Sequence, residues 1–314
     1  MARPYRIQVE GGFYHINSRG DDRKDIYKSE RDYEKFLEYL ATAKGKYKFF
    51  VHAYCLMTNH YHLFIETTQA NLSRIMQYLN TSYTVYYNHK RNRSGHLFQG
   101  RYKSILVEQD AYYSELTRYI HLNPVRAKIV KKPSDYRWSS YNAYLKAKSD
   151  GCVDIDQAKQ RLTMRLSNYR SFVEGAQDCP DPFKKVYAGF MLGSVKFIKG
   201  NLNQLQTEVN SKDFAHKRAI KNAIDPETII DAVADYYKID VEQARYGRKR
   251  PLTAKAMAIY LLRRKTGLTN FQIGEMFGMK HSTVSMAALG FEKKIVQDKR
   301  IKAAVDQISW NFEV

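Results

Sequence analysis

The hydrophobic and polar positions of the first 145 residues follow two different periods. Residues 5–20 alternate between two faces and residues 48–66 are rich in β-forming residues, so both stretches are predicted as strands. The second stretch is predicted to break near Met57–Asn59 into two strands. Residues 30–46 and 71–89 repeat apolar residues three and four positions apart, which predicts two amphipathic helices.

Another strand and another helix follow these elements. Residues 96–107 are predicted as a strand and residues 111–122 as a helix that ends at Asn123, because a residue before proline is disfavoured in the helical region. The alternation indicates an α/β domain in which helices pack against one sheet. Beyond Pro226 the apolar spacing becomes wholly helical. We therefore predict an α/β domain over 1–148, a helical connector over 149–223 and an all-helical domain over 224–314.

The chain is strongly basic, and the excess charge is concentrated near the C-terminus. Its 314 residues include 52 Lys and Arg against 32 Asp and Glu, a net charge of +20. Residues 245–302 contain 14 Lys and Arg against three acidic residues. The positive electrostatic potential of such a surface attracts polyanions, and nucleic acid is the first partner to consider. A basic surface without a specific partner is the alternative.

Cysteine usage and hydropathy exclude several classes of protein. Cys55, Cys152 and Cys179 are odd in number and far apart, which argues against a disulfide framework and against a thiolate zinc site. The N-terminus has no apolar core of signal-peptide length, and no apolar run approaches the roughly 20 residues of a membrane span. We therefore expect a protein of the reducing cytoplasm with no membrane partner.

Two histidines, a tyrosine and an asparagine form the most informative constellation. His60 and His62 are two apart on a predicted strand, so both side chains project to one face. Tyr119 and Asn123 are four apart on a predicted helix and share a face. If that helix packs beside the strand, the imidazoles and the amide oxygen can bind a divalent cation, and Mg²⁺ or Mn²⁺ suits such a mixed site. Tyr119 would then attack a phosphorus held by the ion, although each residue type alone is more often structural.

Two groups of basic and polar residues flank this constellation. Gln99, Arg101 and Lys103 surround an aromatic residue and can hold a phosphate backbone while the ring stacks on a base, although a solvated strand edge has the same pattern. Arg118 and Arg126 lie on either side of the tyrosine–asparagine pair. They can clamp phosphates, with a surface role as the alternative.

The basic C-terminal stretch contains a helix-turn-helix pattern. Two helical stretches, 270–277 and 281–294, are separated by a turn at Gly278. The start of the second helix in such a unit enters the major groove, and a preceding basic cluster would reach a neighbouring groove or the backbone. A helical bundle with solvated charges is the alternative. The residues concerned are Lys280, His281, Ser282 and Thr283 on the helix, and Arg248, Lys249 and Arg250 in the cluster.

Several segments of the first 145 residues resemble the single-tyrosine HUH transposases, and within them the REP-associated tyrosine transposases. These segments are Gly11–Ile16, Met57–Leu63, Gly95–Tyr102, Arg118–Ala127 and Tyr136–Tyr141. The resemblance implies a ferredoxin-like α/β domain with an antiparallel sheet. It also implies cleavage of single-stranded DNA that leaves a 5′-phosphotyrosine.

The same resemblance implies a role for each residue of the constellation. His60 and His62 would be metal ligands, Asn123 the third ligand and Tyr119 the nucleophile. The family usually has an aliphatic residue at the position of Tyr61, a departure that changes the packing behind the strand but not the ligands.

The C-terminal stretch resembles the duplex-DNA-binding domain of the bacterial replication initiator DnaA. The similar segments are Ile229–Ala234, Ala256–Arg263, Ile273–Gly278 and His281–Val284. The resemblance implies a duplex-DNA reader, with Lys280 at a position where that family has an acidic residue. No phosphate-binding loop of the Walker type occurs in the chain, so the ATPase of an initiator is not expected.

Together these features predict a two-module DNA enzyme. The first module would cut and rejoin single-stranded DNA at a folded hairpin with a divalent metal, and the second would grip duplex DNA. One alternative is a non-catalytic DNA-binding regulator with the same fold. Another is a metal hydrolase that uses only His60 and His62 and leaves no protein–DNA bond. The sequence leaves open whether Tyr119 serves its own chain or a second copy, so a homodimer is compatible with it.

Overall fold

The protein forms two compact units. The structure, a computed structural model, describes residues 6–175, 181–187, 189–194, 196–198, 200–201, 226–247, 252–266 and 268–310. The first unit comprises Arg6–Pro182 together with Phe190–Ser194, and the second contains the helices from Pro226 onward. Within the described ranges, no helix is both long enough and apolar enough to cross a membrane.

A five-stranded sheet of order β2-β3-β1-β4-β5 is the framework of the first unit. Its strands are β1 (Phe13–Arg19), β2 (Phe49–Met57), β3 (His60–Thr67), β4 (Lys103–Val107) and β5 (Met191–Leu192). The pairs β1–β3, β1–β4 and β2–β3 are antiparallel, as expected for a ferredoxin-like domain, and the two-residue β5 adds a parallel pair beside β4. The predicted break near Met57–Asn59 is confirmed as the short turn between β2 and β3.

Helices cover both faces of the sheet. Tyr61 of β3 is buried on one face, where its ring packs against Phe36 (centroids 4.8 Å apart) and its hydroxyl donates to Asn80 Oδ1 (2.6 Å). Phe64 is on the other face, against Tyr113 (centroids 5.2 Å apart). Residues two and four positions before Phe64 share its face, so the predicted ligands lie on the side of α3. The helices of this unit are α1 (Glu30–Tyr47), α2 (Leu72–Lys90), α3 (Gln109–Arg126), α4 (Tyr141–Lys146), α5 (Ile155–Arg161) and α6 (Tyr169–Glu174).

Helix α3 continues through the proline that was predicted to end it. It extends to Arg126, with Pro124 in its interior. Proline has no N–H to donate to the carbonyl four residues earlier, which here is Ile120. The side-chain amide of Asn123 donates to that carbonyl (3.4 Å) and to the carbonyl of Tyr119 (3.0 Å). The prediction that α3 ends at Asn123 is therefore wrong, because a side chain replaces the missing backbone donor.

Residues predicted as the start of a connector belong to the first unit, which includes α5 and α6. His121 of α3 is buried, and its ring nitrogens lie 2.7 Å from Tyr169 Oη of α6 and 2.8 Å from Ser140 Oγ. Lys44 of α1 forms a 2.9 Å salt bridge with Asp154, directly before α5. The domain boundary predicted at residue 148 is therefore too early, because these polar contacts between distant residues leave no periodic signal in the sequence.

The stretch predicted as a strand over 96–107 is a strand only from Lys103 onward. Before that residue the chain forms a loop, in which the Gln99 N–H donates to the Arg19 carbonyl at the end of β1 (2.8 Å). Gly100 has a φ of +69°, a conformation that glycine adopts without strain. The loop therefore brings its polar residues to the end of β1 rather than along a sheet edge.

Six helices described from Pro226 onward pack together in the second unit. Their apolar sides share one core, which includes Ile230, Val233, Leu262, Phe277 and Phe291. This confirms the predicted change from an α/β pattern to an all-helical one. The helices are α7 (Pro226–Tyr237), α8 (Val241–Tyr246), α9 (Leu252–Lys265), α10 (Asn270–Met276), α11 (His281–Gln297) and α12 (Lys299–Trp310).

Helices α10 and α11 form the predicted helix-turn-helix. Thr269 and Gln272 make a capping box at the start of α10. A Cβ at Gly274 would lie 2.5 Å from the carbonyl oxygen of Met279, so the turn passes against α10 at a position that requires glycine. Gly278 follows α10 with a φ of +62°, which reverses the chain. These contacts fix where α11 begins.

Candidate active site

The two histidines of β3 lie side by side on the sheet face nearest α3. The ring centroids of His60 and His62 are 5.1 Å apart, with the ring planes at 82°. In the antiparallel register, Arg19 of β1 is opposite His60 and Asn17 is opposite His62. Directly opposed residues project to the same face. The imidazoles therefore share one face, as the strand period predicted, and two β1 residues border them.

One nitrogen of each imidazole is held by a neighbouring side chain. His62 Nδ1 is 2.9 Å from His15 Nε2, and His60 Nδ1 is 2.7 Å from Asn59 Oδ1. Burial lowers the pKa of His62 well below its ordinary value, and His15, His60 and Arg19 lower it further. Burial, and then Arg19, lowers the pKa of His60 to about 4. Both rings are therefore neutral near pH 7, the form in which an imidazole can bind a metal.

Tyr119 reaches the same region from α3. Its ring centroid is 6.1 Å from that of His62 and 6.5 Å from that of His15, and the ring is edge-on to both. Arg126 Cζ lies 4.7 Å from the centroid of the Tyr119 ring. Burial raises the pKa of Tyr119, the Asp181 carboxylate raises it further, and the Arg126 guanidinium opposes the change. The phenol is therefore protonated near neutral pH and has a cation against its face.

A cavity of about 370 Å³ connects the histidines to the tyrosine. Asn123 lies on its wall, one helical turn after Tyr119, and donates its side-chain N–H₂ to the helix. The carbonyl oxygen is consequently the atom of this amide that can bind a ligand. Seven predicted site residues line this cavity: His60, His62, Gln99, Arg101, Lys103, Tyr119 and Asn123.

Three further lining residues were not predicted from the sequence. They are Asn17, Ser18 and Arg19, all on β1. Their positions follow from the pairing of β1 with β3, which are about forty residues apart in the chain. The strand period shows which residues of β1 share a face, but it does not show which strand lies beside β1.

Of the two arginines predicted to clamp phosphates here, Arg126 contacts Tyr119, whereas Arg118 has another partner. The Arg118 guanidinium carbon lies 4.3 Å from the centroid of the Phe172 ring, on α6. Neighbouring residues of a helix project about 100° apart, so Arg118 does not share the direction of Tyr119. Its predicted role at this cavity is therefore corrected to packing against α6.

The donor atoms at the cavity fit a divalent ion. Among the described residues, no group of three His, Cys, Asp or Glu side chains is arranged to hold a metal. A third ligand beside His60 and His62 would therefore be of another type, and the amide oxygen of Asn123 is on the cavity wall. Two neutral imidazoles and one amide oxygen leave coordination positions for water and phosphate oxygens, which suits Mg²⁺ or Mn²⁺.

The residues predicted to read duplex DNA are at the start of α11. Residues 280–283 are all exposed, whereas Val284 is buried in the core of the unit. The first turn of a helix presents backbone N–H groups that suit phosphate oxygens. The predicted basic cluster, Arg248, Lys249 and Arg250, lies outside the described residues.

Two protein families match separate parts of the chain. Residues 8–123 match the family described as Transposase IS200 like, and residues 226–289 match the family described as Bacterial dnaA protein helix-turn-helix. The expected resemblances to single-tyrosine transposases and to the DNA-binding domain of DnaA are thereby confirmed. The first match includes every residue that lines the cavity, and the second includes α10, the turn and the first half of α11.

Individual relatives give a narrower comparison. The chain is 30% identical over 91 residues to the chromosomal replication initiator protein DnaA of Thermomicrobium roseum and 39% identical over 74 residues to that of Corynebacterium aurimucosum. These matches cover 28% and 23% of the chain but only 20% and 14% of the relatives, so the chain spans about a fifth or less of their length. A solved structure of a REP-associated tyrosine transposase bound to a REP hairpin covers 53% of this chain and 94% of that one, at 16% identity and a TM-score of 0.41.

Proposed function

We propose that the protein is a metal-dependent endonuclease and strand transferase that acts on single-stranded hairpin DNA through a covalent 5′-phosphotyrosine, as a REP-associated transposase. The observation that supports this most strongly is the shared cavity of Tyr119, Asn123, His60 and His62. The match of residues 8–123 to the IS200-like transposase family supports the same reaction class.

The proposed reaction replaces one phosphodiester with another. The Tyr119 phenolic oxygen attacks the phosphorus, the bond between phosphorus and the 3′ oxygen breaks, and the 5′ phosphate remains on the tyrosine. The phenolic proton passes to solvent, and the 3′ oxygen leaves as a hydroxyl group after taking up a proton. Because the number of phosphoester bonds is unchanged, a 3′-hydroxyl can reverse the step, which suits strand transfer better than hydrolysis.

The side chains around the tyrosine prepare the phosphate for this attack. His60, His62 and Asn123 would hold the divalent ion, which polarises a phosphoryl oxygen when bound. Arg126 lies against the Tyr119 ring and favours the phenolate that develops during attack. Tyr119 lines the cavity of its own chain, which favours attack at that site rather than at a second copy.

The remaining wall of the cavity suits the DNA backbone. Arg19, Arg101 and Lys103 line it, and the described lining residues include no Asp or Glu. Charge-assisted hydrogen bonds from these cations would hold phosphates on either side of the bond that is cut. Gln99 adds an uncharged amide that can contact a sugar, a base or a phosphate.

We infer that the second unit binds duplex DNA and selects where the first unit acts. The match of residues 226–289 to the helix-turn-helix of DnaA and the exposure of residues 280–283 support this. The matched replication initiators are covered over only 20% and 14% of their length, so no initiator activity is proposed.

An assay for covalent adducts tests the proposed reaction. End-labelled single-stranded hairpin DNA is incubated with the full-length protein and Mg²⁺ or Mn²⁺, then separated on a denaturing gel. We expect a labelled protein–DNA conjugate from the wild type and none from Tyr119→Phe. Tyr112→Phe, which changes another tyrosine of α3, is expected to give the wild-type amount.

Other outcomes of the same assay identify the alternatives. A free 5′-phosphate without a conjugate would indicate a metal hydrolase. DNA binding without cleavage would indicate a non-catalytic regulator. A conjugate that persists in Tyr119→Phe would exclude this nucleophile.

A further inference from the structure

His15 is a buried residue beside the cavity that the proposed reaction does not use. It lies on β1, two residues before Asn17, which is paired directly with His62. Diagonal neighbours on antiparallel strands share a face. The His15 and His62 rings are nearly parallel, at 21°, with centroids 5.2 Å apart. His15 Nε2 and His62 Nδ1 are 2.9 Å apart, so one nitrogen donates a proton and the other accepts it.

The direction of this hydrogen bond decides which nitrogen of His62 can bind an ion. If His62 Nδ1 donates, Nε2 keeps a lone pair and can be a metal ligand. If His62 Nδ1 accepts, Nε2 has the proton and cannot bind a metal. A neutral imidazole in water slightly prefers its proton on Nε2, so a partner that accepts the Nδ1 proton favours the form of His62 that can bind a metal.

The charges around the cavity favour the first direction. Arg19, Arg101 and Lys103 line the cavity together with His62. Near three cations, a nitrogen lone pair is electrostatically favoured over an N–H group, whose hydrogen is positively polarised. The side chain that bonds to Nδ1 is therefore expected to take the acceptor role.

We propose that His15 accepts the proton of His62 Nδ1 and thereby fixes His62 in the tautomer whose Nε2 binds the metal ion. His15 is thus a positioning residue, which acts through His62. The role of His15 in metal binding rests on the proposed metal-dependent function. The tautomer of His62 itself can be observed in the metal-free protein.

Packing keeps His15 in place for this role. Its side chain is only 2% exposed, and its ring is edge-on to Tyr119 at a centroid distance of 6.5 Å. A buried ring between two packed neighbours has little freedom to rotate away from His62. The hydrogen bond is therefore formed before any ion binds, which is the usual way that outer residues orient metal-ligating histidines.

Nitrogen NMR of the imidazoles tests the tautomer in the metal-free full-length protein. Long-range ¹H–¹⁵N correlations show which ring nitrogen is protonated, and the His62 signals are assigned from their loss in His62→Gln. We expect His62 of the wild type to be protonated on Nδ1. In His15→Phe, which keeps a buried ring but removes the acceptor, we expect the proton to move to Nε2. Protonation of wild-type His62 on Nε2 would overturn the proposal. Because this result comes from the wild-type spectrum alone, it does not depend on whether the His15 variant folds.

A titration with Mn²⁺, followed by electron paramagnetic resonance, gives a second readout. Loss of an outer partner lowers metal affinity about 10- to 100-fold, and we expect a loss of this size in His15→Phe. His15→Gln should recover part of the affinity, because its amide oxygen can accept a hydrogen bond. An affinity for Mn²⁺ that His15→Phe leaves unchanged would also overturn the proposal.

His52→Phe is the matched control for these measurements. His52 is also buried in the sheet, but its ring nitrogens lie 3.1 Å from Glu66 Oε2 and 2.9 Å from Tyr113 Oη. We expect this variant to keep the wild-type His62 tautomer and the wild-type Mn²⁺ affinity. If the wild type binds no Mn²⁺, the proposed metal site fails, whereas the NMR spectrum still decides the role of His15.

Discussion

At the scale of single residues, Asn123 serves the helix and the cavity at the same time. Its N–H₂ donates to the carbonyls of Tyr119 and Ile120, which compensates for the donor that Pro124 lacks. The same hydrogen bonds fix the orientation of the amide, so that its oxygen is the atom left for a ligand in the cavity. A residue that reads as a helix stop in the sequence is therefore part of a helix and part of the candidate site.

Substitution of Asn123 should weaken the metal site more than substitution of Pro124. We expect Asn123→Ala to raise the Mn²⁺ concentration for half-maximal conjugate formation at least as much as the roughly 10- to 100-fold typical of a lost outer partner, because a direct ligand is lost. Pro124→Ala restores a backbone donor to Ile120 and leaves the amide oxygen present, so a smaller increase is expected. Conjugate formation is measured against Mn²⁺ concentration.

The control for this series is Asn142→Ala. The Asn142 side chain donates to the Ser134 carbonyl (2.9 Å) and does not line the cavity. We expect Asn142→Ala to form the conjugate with the same dependence on Mn²⁺ concentration as the wild type. If conjugate formation by Asn123→Ala also depends on Mn²⁺ concentration as in the wild type, the Asn123 amide is excluded as a metal contact.

The site residues that could be predicted are those related by short sequence periods. A period of two places His60 and His62 together, and a spacing of four relates Tyr119 to Asn123. His15 and Arg19 border the same site, but their positions depend on the pairing of β1 with β3, which no local pattern encodes. Arg118 was wrongly assigned to the site, because its closeness to Tyr119 in the sequence does not give it the same direction on the helix.

At the scale of elements, a buried carboxylate joins the start of α1 to the end of α2. Asp32 has no exposed surface and accepts hydrogen bonds from the backbone N–H groups of Lys28 (2.8 Å) and Ser29 (3.0 Å). It also forms salt bridges with Lys90 (2.9 Å) and Arg91. Burial raises the pKa of Asp32, but the hydrogen bonds from Lys90, Arg91 and the Lys28 N–H outweigh it and lower the pKa to about 2.

This carboxylate should make the stability of the first unit depend on pH. The pKa of Asp32 falls from 3.8 to about 2 on folding. The stabilisation is therefore complete above about pH 4, is lost as the pH falls through about 2, and is on the order of 2 kcal/mol. We expect Asp32→Asn to lower the free energy of unfolding near neutral pH and to differ progressively less from the wild type below about pH 4.

Urea unfolding monitored by Trp138 fluorescence measures this effect. Trp138 stacks on Tyr33 of α1, with centroids 4.5 Å apart, and Trp310→Phe in both proteins removes the second tryptophan of the chain. The two proteins are compared near neutral pH and near pH 3. A difference in unfolding free energy that does not change with pH would contradict the assigned pKa.

The elements that could be predicted are those in which apolar residues repeat regularly and whose ends have the usual sequence signals. The two long helices and the break between β2 and β3 belong to this group. The loop before β4 was predicted as a strand because its composition favours strands, but only Lys103–Val107 pairs continuously with β1, whereas Phe98 forms an isolated bridge to Gly20. The last turn of α3 was missed because it depends on the side-chain hydrogen bonds of Asn123.

At the scale of the whole molecule, the two candidate DNA-binding sites lie in different units. The cavity with Tyr119 belongs to the first unit, and residues 280–283 belong to the second. The cavity proposed for strand cleavage and the helix N-terminus proposed for duplex reading share no residue. If the proposed function is correct, substitutions in one unit should therefore leave the chemistry of the other intact.

Lys280→Gln tests this separation. Loss of one phosphate contact should lower the affinity for duplex DNA and reduce the slope of log affinity against log salt concentration by about one. Conjugate formation on a short hairpin should remain at the wild-type level, because Lys280 is not in the unit that contains the cavity. Tyr119→Phe should give the opposite result, with duplex affinity kept and the conjugate lost.

Lys293→Gln is the control for charge alone. Lys293 is exposed on the same helix, more than three turns after Lys280, beyond the first turn that would enter the groove. Its effect on duplex affinity and on the salt slope should be clearly smaller than that of Lys280→Gln. Equal effects of the two substitutions would mean that the basic field of the second unit, rather than the start of α11, attracts the duplex.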